Sequence, residues 1–202
     1  MKYKIVLCDM GQVLINFNPE KIVAHYTDDP QSAMILKKAI FDNQVWLDLD
    51  LGIITNDEAI VSICEKVPKS LHDLVRSIIM TWPITNTQIE AMIPVIKAIK
   101  EKGLKLILAS NTSLMFHEFR KAIDALKMFD GFMISADIHQ AKPDPVFFET
   151  LLSRFDLDPA ECFLIDDKLE NIESAAQCGI DGAVFTGNID QLKTILKYNE
   201  II

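Results

Sequence analysis

Four short apolar runs in this chain are each followed by polar residues. Asp9 follows the run 3–8, Ser110 and Asn111 follow 104–109, and Asp166 and Asp167 follow 162–165. After a further run at 132–135 comes Lys142, in Lys142-Pro143-Asp144-Pro145. Taken singly these are ordinary, because Asp and Ser after a strand often cap the next helix. As a set they suggest chemistry. Three carboxylates gathered at one place repel one another unless a cation neutralises them, and oxygen-only ligands suit Mg²⁺. A lysine beside such a cluster suits an anion that bridges to the metal, a phosphoryl group above all.

The set converges only if the runs are neighbouring parallel strands. The run 3–8 is almost continuously apolar, as in a strand covered on both faces. Ile89, Met92, Ile93, Ile96 and Ile99 form a helical stripe ending in Lys100-Glu101-Lys102-Gly103, basic residues followed by a C-terminal Gly. Pro94 kinks that stripe or marks a late start. A strand at 104–109, a helix at 113–128 and a strand at 132–135 follow. Asp144-Pro145 opens another helix, with Pro at its first position. Then come a strand at 162–165, a helix at 170–178 ended by Gly179, and a last strand at 183–185. This alternation argues for an α/β fold with a parallel sheet, whose ligands bind beyond the carboxyl ends of the strands.

The stretch 16–86 reads differently. Apolar residues at helical spacing cover 32–41 and 71–80, and Thr55-Asn56-Asp57-Glu58 is a capping box ahead of 59–67. No strand-like alternation is visible there. The expected architecture is a Rossmann-like core, residues 1–15 and 87–202, with a helical insert at 16–86 after the first strand.

The chain has 202 residues, with 29 Asp and Glu against 20 Lys and Arg, a net charge of −9. That balance excludes nucleic acid or an anionic membrane as the main partner, since a phosphate backbone rewards clustered Lys and Arg. It leaves room for a small anion at a site whose field a metal inverts. No apolar run approaches the ~20 residues of a membrane span. The basic start precedes an apolar stretch too short for a signal peptide. Cys8, Cys64, Cys162 and Cys178 lie far apart and read as buried thiols of a cytoplasmic protein. No residue marks an interface between copies, so the oligomeric state is open.

With these motifs in place, the chain resembles the haloacid dehalogenase-like hydrolase superfamily, in the right order over its whole length. The first motif is recognisable in Leu7-Cys8-Asp9-Met10-Gly11-Gln12-Val13-Leu14, the second in Leu108-Ala109-Ser110-Asn111, the third in Lys142-Pro143-Asp144. The fourth resembles Ile165-Asp166-Asp167-Lys168-Leu169-Glu170-Asn171. The resemblance implies a phosphatase with a small helical cap over its active site. Asp9 would be the nucleophile, forming an aspartyl-phosphate that water hydrolyses. Mg²⁺ would be held by Asp9, the Gly11 carbonyl, Asp167 directly and Asp166 through water. Ser110 and Lys142 would bind the phosphoryl oxygens with backbone amides near Met10 and Asn111, and Asn171 would support the metal or orient Lys142. The implied substrate is a small phosphorylated metabolite, a sugar phosphate first.

One position departs from the pattern. Many phosphatases of this superfamily carry a second Asp two residues after the nucleophile, where it protonates the leaving group. Here that residue is Gly11. The carbonyl contact to metal survives and the general acid does not, a loss worth about 10²–10⁴-fold. Some sugar-phosphate phosphatases of the superfamily look similar there, and a leaving group that needs little protonation, such as an anomeric sugar phosphate, would tolerate the gap. Two rivals follow: a metal-free haloacid dehalogenase, and a phosphate-binding or scaffold protein without activity. The first leaves Asp166 and Asp167 as like charges without a counter-ion. His25, His72, His117 and His139 are scattered and read as surface or capping residues, with His139 the one near Lys142. Trp46, Asp48 and Asp50 fall in the insert, where this superfamily reads its substrate, and Trp82 falls near the return to the core.

Overall fold

Strand β1 (Ile5–Cys8) is buried along its whole length. Its continuous apolar run leaves no polar face to turn to water, so it takes the middle of the sheet. In the computed structural model, which describes residues 2–202, a two-residue strand β2 (Ile15–Asn16) follows. Five helices come next: α1 (Pro19–Ala24), α2 (Pro30–Ile40), α3 (Gln44–Asp50), α4 (Asn56–Cys64) and α5 (His72–Thr81). Strand β3 (Thr87–Gln88) then pairs antiparallel with β2. The remaining elements are α6 (Ile93–Glu101), β4 (Lys105–Ser110), α7 (Phe116–Phe119), β5 (Gly131–Ile134) and α8 (Ser135–Ile138). The chain finishes with α9 (Pro145–Phe155), β6 (Cys162–Asp166), α10 (Leu169–Gln177), β7 (Asp181–Val184) and α11 (Ile189–Tyr198).

Five strands form one parallel sheet in the order β5-β4-β1-β6-β7. The period of two sorts each strand between two faces. Val6 and Cys8 pack with Val95, Ile96 and Ile99 of α6 and with Leu192 and Leu196 of α11. Ile5 and Leu7 pack on the other side with Phe147, Phe148 and Leu151 of α9 and Ala175 of α10. The result is a three-layer α/β fold of Rossmann type. Because the winding reverses across β1, the carboxyl ends of β1, β4 and β6 open onto one crevice.

Helices α1–α5 bury a cluster of their own, including Ile22, Leu36, Ile40, Ile63, Ile78 and Trp82. Each large apolar side chain fully buried there contributes about 1.5–3 kcal/mol, and Met115 and Phe119 of the core pack against the same cluster. The lobe also touches the core, through Trp82 on Phe119 and at a second place beside the crevice. Ser135 Oγ donates to the Asp50 carbonyl, and a His139 ring nitrogen lies 2.8 Å from the Leu51 carbonyl. Between them Gly52, at φ +64°, lies against Ala136; a Cβ there would come within 2.4 Å of the Ala136 carbonyl oxygen.

Several expectations are met in detail. Thr55 and Glu58 form both halves of the capping box, and Asp144 caps α9 with Pro145 in its first turn. Pro94 lies in the first turn of α6, so it marks a late start rather than a kink. Among the described residues, no helix is long and apolar enough to cross a membrane. All four cysteines are free; Cys8 and Cys162 are buried, whereas Cys64 and Cys178 are half-buried.

Other expectations need correction. The helix expected at 113–128 is broken: α7 spans four residues, and two 3₁₀ turns, Arg120–Ala122 and Asp124–Met128, flank an extended Ile123. Packing overrides periodicity there, since the Phe119 ring lies 5.5 Å from Trp82 and 5.8 Å from Phe116. The Ala125 amide is also drawn off to the Gln88 side chain. At the edges of 16–86, Asn16 belongs to a strand and donates from Nδ2 to the Thr87 carbonyl and hydroxyl. Two-residue strands carry no period to read. Helices α8 and α11 were not foreseen, while α1 and α3 lie within the helical stretch 16–86 without having been placed singly.

Candidate active site

The loop leaving β1 turns back at once. The Met10 carbonyl accepts from the amides of Leu14 and Ile15, at 2.8 and 3.0 Å, and this holds Asp9 at the strand's carboxyl end. Lys142 reaches the same point from the segment after α8. Its Nζ donates to Asp9 Oδ1 at 2.8 Å and to Asp166 Oδ2 at 2.6 Å, with its side chain only 1 % exposed. Asn111, just past β4, pins the lysine's backbone: its Oδ1 accepts from Lys142 N at 2.9 Å, and its Nδ2 donates to the Lys142 carbonyl at 2.7 Å. Asp166 Oδ1 accepts from the Lys168 amide and from Asn171 Nδ2, each at 2.9 Å. Asn171 therefore supports Asp166, and through it the lysine.

Carboxylate oxygens of Asp9, Asp166 and Asp167 lie within 4.8 Å of one another, a donor set of hard oxygens able to hold Mg²⁺. Burial penalises charge throughout this group. It pushes the Asp9 carboxyl above its usual range against the opposing charge of Lys142. Burial and then the neighbouring Asp166 raise Asp167. Burial also favours a neutral amine at Lys142, but the charges of Asp9 and Asp166 outweigh it and hold the ammonium above the usual lysine range.

These groups floor a cavity of 340 Å³, which Asp9, Met10, Gly11, Asn111, Lys142, Asp167 and Asn171 help to line. Ser110 is buried at the end of β4 and Asp166 beneath the floor; neither lines it. Gly11 is not imposed by crowding. A Cβ there would meet nothing nearer than Asp9 Oδ2 and Phe17 Cβ at 4.0 Å, so the glycine simply leaves space above the carboxylate.

The lobe supplies the roof. Phe41, Trp46, Leu47 and Trp82 line the cavity together with Phe17 and Ile15 from the strand leading into the lobe. Asp50 lines it too, one turn beyond Trp46 on the same face of α3. Burial pushes its carboxyl up to about 7, against Lys168, the Trp46 indole and the Ser113 amide. Thr112 went unforeseen. It lines the cavity, and its hydroxyl is buried without a partner. The one sequence signal for it was its place one residue beyond Asn111. Asp48 bonds to Gln44 instead of entering the cavity. His139 is spent on the contact between lobe and core, and His117 pairs with Asp137.

The chain matches known proteins along most of its length. It is 26 % identical over 201 residues to a sesquiterpene phosphatase of Aspergillus oryzae, covering 99 % of this chain and 97 % of that protein. A phosphorylated carbohydrates phosphatase of Thermotoga maritima is 29 % identical over 84 residues, which is 41 % of this chain and 39 % of that one. A haloacid dehalogenase-type enzyme of Bacteroides thetaiotaomicron, solved with magnesium and inorganic phosphate, superposes with a TM-score of 0.67. That pair shares 23 % identity and covers 90 % of this chain and 93 % of the other. The family model for haloacid dehalogenase-like hydrolases matches residues 3–179, a span that includes all four strand-end motifs and the lobe between the first two. This chain belongs to the haloacid dehalogenase-like hydrolases.

Proposed function

We propose that this chain is a Mg²⁺-dependent phosphohydrolase that takes the phosphoryl group from a small organic phosphate through an aspartyl-phosphate on Asp9. The observation that carries the reading is the Lys142 ammonium, buried between Asp9 and Asp166 with Asp167 in the same group. The residues fit the ion by their chemistry, since all the donors are oxygens. Asp9, Asp167 and the Gly11 carbonyl would hold it. Asp166 already accepts three hydrogen bonds and would reach it through water. When bound, Mg²⁺ supplies positive charge to the phosphoryl oxygens.

The chain's own residues do the rest. A carboxylate oxygen of Asp9 bonds to phosphorus as the bond from phosphorus to the alcohol oxygen breaks, the departing oxygen taking a proton from a water in the cavity because Gly11 supplies none. A second water then attacks the acyl phosphate at phosphorus, releasing phosphate and restoring Asp9. An ammonium has three N–H donors. Lys142 commits two of them to Asp9 and Asp166, which leaves the third for a phosphoryl oxygen. The Thr112 hydroxyl and the Met10 and Asn111 amides complete the cradle, while Ser110, expected in it, lies buried behind the cavity wall. Asn111 and Asn171 position the lysine and Asp166. The lobe acts as the cap that keeps water out while the phosphoryl group moves.

The full-length likeness to a phosphatase supports phosphoryl transfer over dehalogenation. So does the charge balance of the group, three carboxylates against the one buried ammonium of Lys142, which leaves negative charge for a metal to neutralise. The sugar-phosphate expectation draws support from the Thermotoga carbohydrate phosphatase, over 41 % of this chain. Phosphate release from a panel of organic phosphates, with Mg²⁺ and with EDTA, tests the reading. Release that requires Mg²⁺ and disappears in Asp9→Asn is expected; a parent rate in that variant overturns the covalent route.

A further inference from the structure

We propose that the alcohol part of the substrate is an apolar hydrocarbon, seated in the box formed by Phe17, Phe41, Trp46 and Trp82, so that the enzyme takes phosphoric monoesters of hydrophobic alcohols. The proposal rests on the phosphohydrolase reading for its phosphate end and on the cavity roof for its other end.

The four rings are one packed group. Their centroids lie 4.5 Å apart for Phe41 and Trp46, 5.5 Å for Trp46 and Trp82, 5.5 Å for Phe17 and Trp82, and 5.9 Å for Phe17 and Trp46. All four line the cavity whose floor is the Asp9 and Lys142 group. A phosphate held on that floor therefore directs its ester group at the rings. The cavity's 340 Å³ falls in the range of small-molecule sites, with room for a hydrocarbon beyond the phosphate.

The roof offers a sugar little to bond. Every buried hydroxyl needs a partner, and one left without it costs about 1–3 kcal/mol. Polar side chains on this side of the cavity are few, and two are engaged in part. Gln12 Oε1 accepts from the Phe17 amide at 3.0 Å, and Asp42 is paired with Lys37 at 3.5 Å. Asp50 remains, beside the Trp46 indole, with Lys168 on the wall near it. One carboxyl and one ammonium can take a few hydroxyls; they do not match the full ring of a hexose. Hydrocarbon needs no partner, and it gains from leaving water.

The chain contains two tryptophans, and both line this cavity, so intrinsic fluorescence reports its occupancy. Two measurements on the full chain with Mg²⁺ decide the matter. The first is phosphate release from ethyl, butyl, hexyl and octyl phosphate, compared with glucose 1-phosphate and glucose 6-phosphate. The expected kcat/KM rises by about fourfold per added CH₂, the factor that corresponds to about 0.8 kcal/mol, until the box is full. The longer esters are expected to exceed both hexose phosphates. A flat series, or faster release from a hexose phosphate, overturns the proposal and leaves the phosphohydrolase reading standing.

The second measurement is the fluorescence titration with alkyl phosphonates of the same lengths, which cannot be turned over. Affinity that climbs with chain length, alongside no release from any ester, keeps the hydrocarbon box and sinks the catalytic reading. Affinity independent of length overturns the box. Trp46→Gln and, separately, Phe41→Ser are expected to lower the ratio of octyl to ethyl phosphate kcat/KM by tenfold or more; an unchanged ratio in both counts against the proposal.

Discussion

Asn111 and Lys142 clasp each other through both groups of the asparagine amide: Oδ1 accepts from Lys142 N at 2.9 Å, and Nδ2 donates to the Lys142 carbonyl at 2.7 Å. The asparagine thus stands in for a missing strand partner and fixes the lysine's backbone, while Asp9 and Asp166 fix its ammonium.

Asn111→Ala removes both bonds and leaves a part-buried amide and carbonyl without partners. We expect a loss of about 1–3 kcal/mol in urea unfolding and a fall in kcat, as the ammonium loses its fixed base. Asn111→Asp keeps the acceptor for Lys142 N but sets a carboxylate oxygen against the Lys142 carbonyl, so it too should be destabilised. Parent stability in either variant would contradict the clasp.

Lys142→Met strands Asp9 and Asp166 as buried carboxylates facing each other. Breaking a buried pair in this way costs about 3–5 kcal/mol. Without the ammonium the Asp9 carboxyl, already raised by burial, titrates higher still, so this variant's stability is present at low pH and lost as pH rises. Mg²⁺ supplies a replacement charge and should restore part of it. Urea midpoints at acid and neutral pH, with and without Mg²⁺, measure both effects.

Asp50→Asn isolates the carboxyl under the roof. Folding raises that group from 3.8 to about 7, so its contribution is fully present below the unfolded value and is lost as pH climbs through 7. The variant carries no such titration. Its melting temperature should exceed the parent's above pH 7, and the gap should close below about pH 4. A gap that widens toward acid would reverse the sign and refute the assignment.

Gly52→Ala tests the contact between lobe and core. The site combines φ +64° with a Cβ position 2.4 Å from the Ala136 carbonyl oxygen. The left-handed backbone alone costs an alanine about 1–2 kcal/mol, and the overlap adds to it by forcing α3 away from α8. A lower melting temperature is expected together with weaker protection of the Gly52–Ala136 region in hydrogen exchange. Gly103→Ala is the control. It has positive φ but open space, so it should show the backbone cost without the change in exchange.

Reading this chain as a string succeeds where the physics is local. Apolar runs 3–8, 104–109 and 162–165 supply strands because, apart from Lys4 and Lys105, nothing in them could face water, and the polar residue that ends each run is where a parallel sheet places its chemistry. Thr55 and Glu58 sit three apart, and they cap because that spacing closes two hydrogen bonds within one turn. In this way Asp9, Asn111, Lys142 and Asp167 could be named before any coordinates.

Other features depend on where distant segments meet. Nothing near Phe17 says that it packs on Trp82, 65 positions on, or that Phe41 and Trp46 complete a box over Asp9. Thr112 is one more hydroxyl until its surroundings leave it without a partner. The helix expected at 113–128 breaks at Ile123, and beyond it the Ala125 amide bonds to the Gln88 side chain, a contact that periodicity cannot foresee. Local sequence determined the strands, the caps and the reactive floor, since short-range hydrogen bonding and hydrophobic period act within a few residues. The tertiary structure alone decided the roof, because packing is settled between surfaces that the chain brings together only when folded.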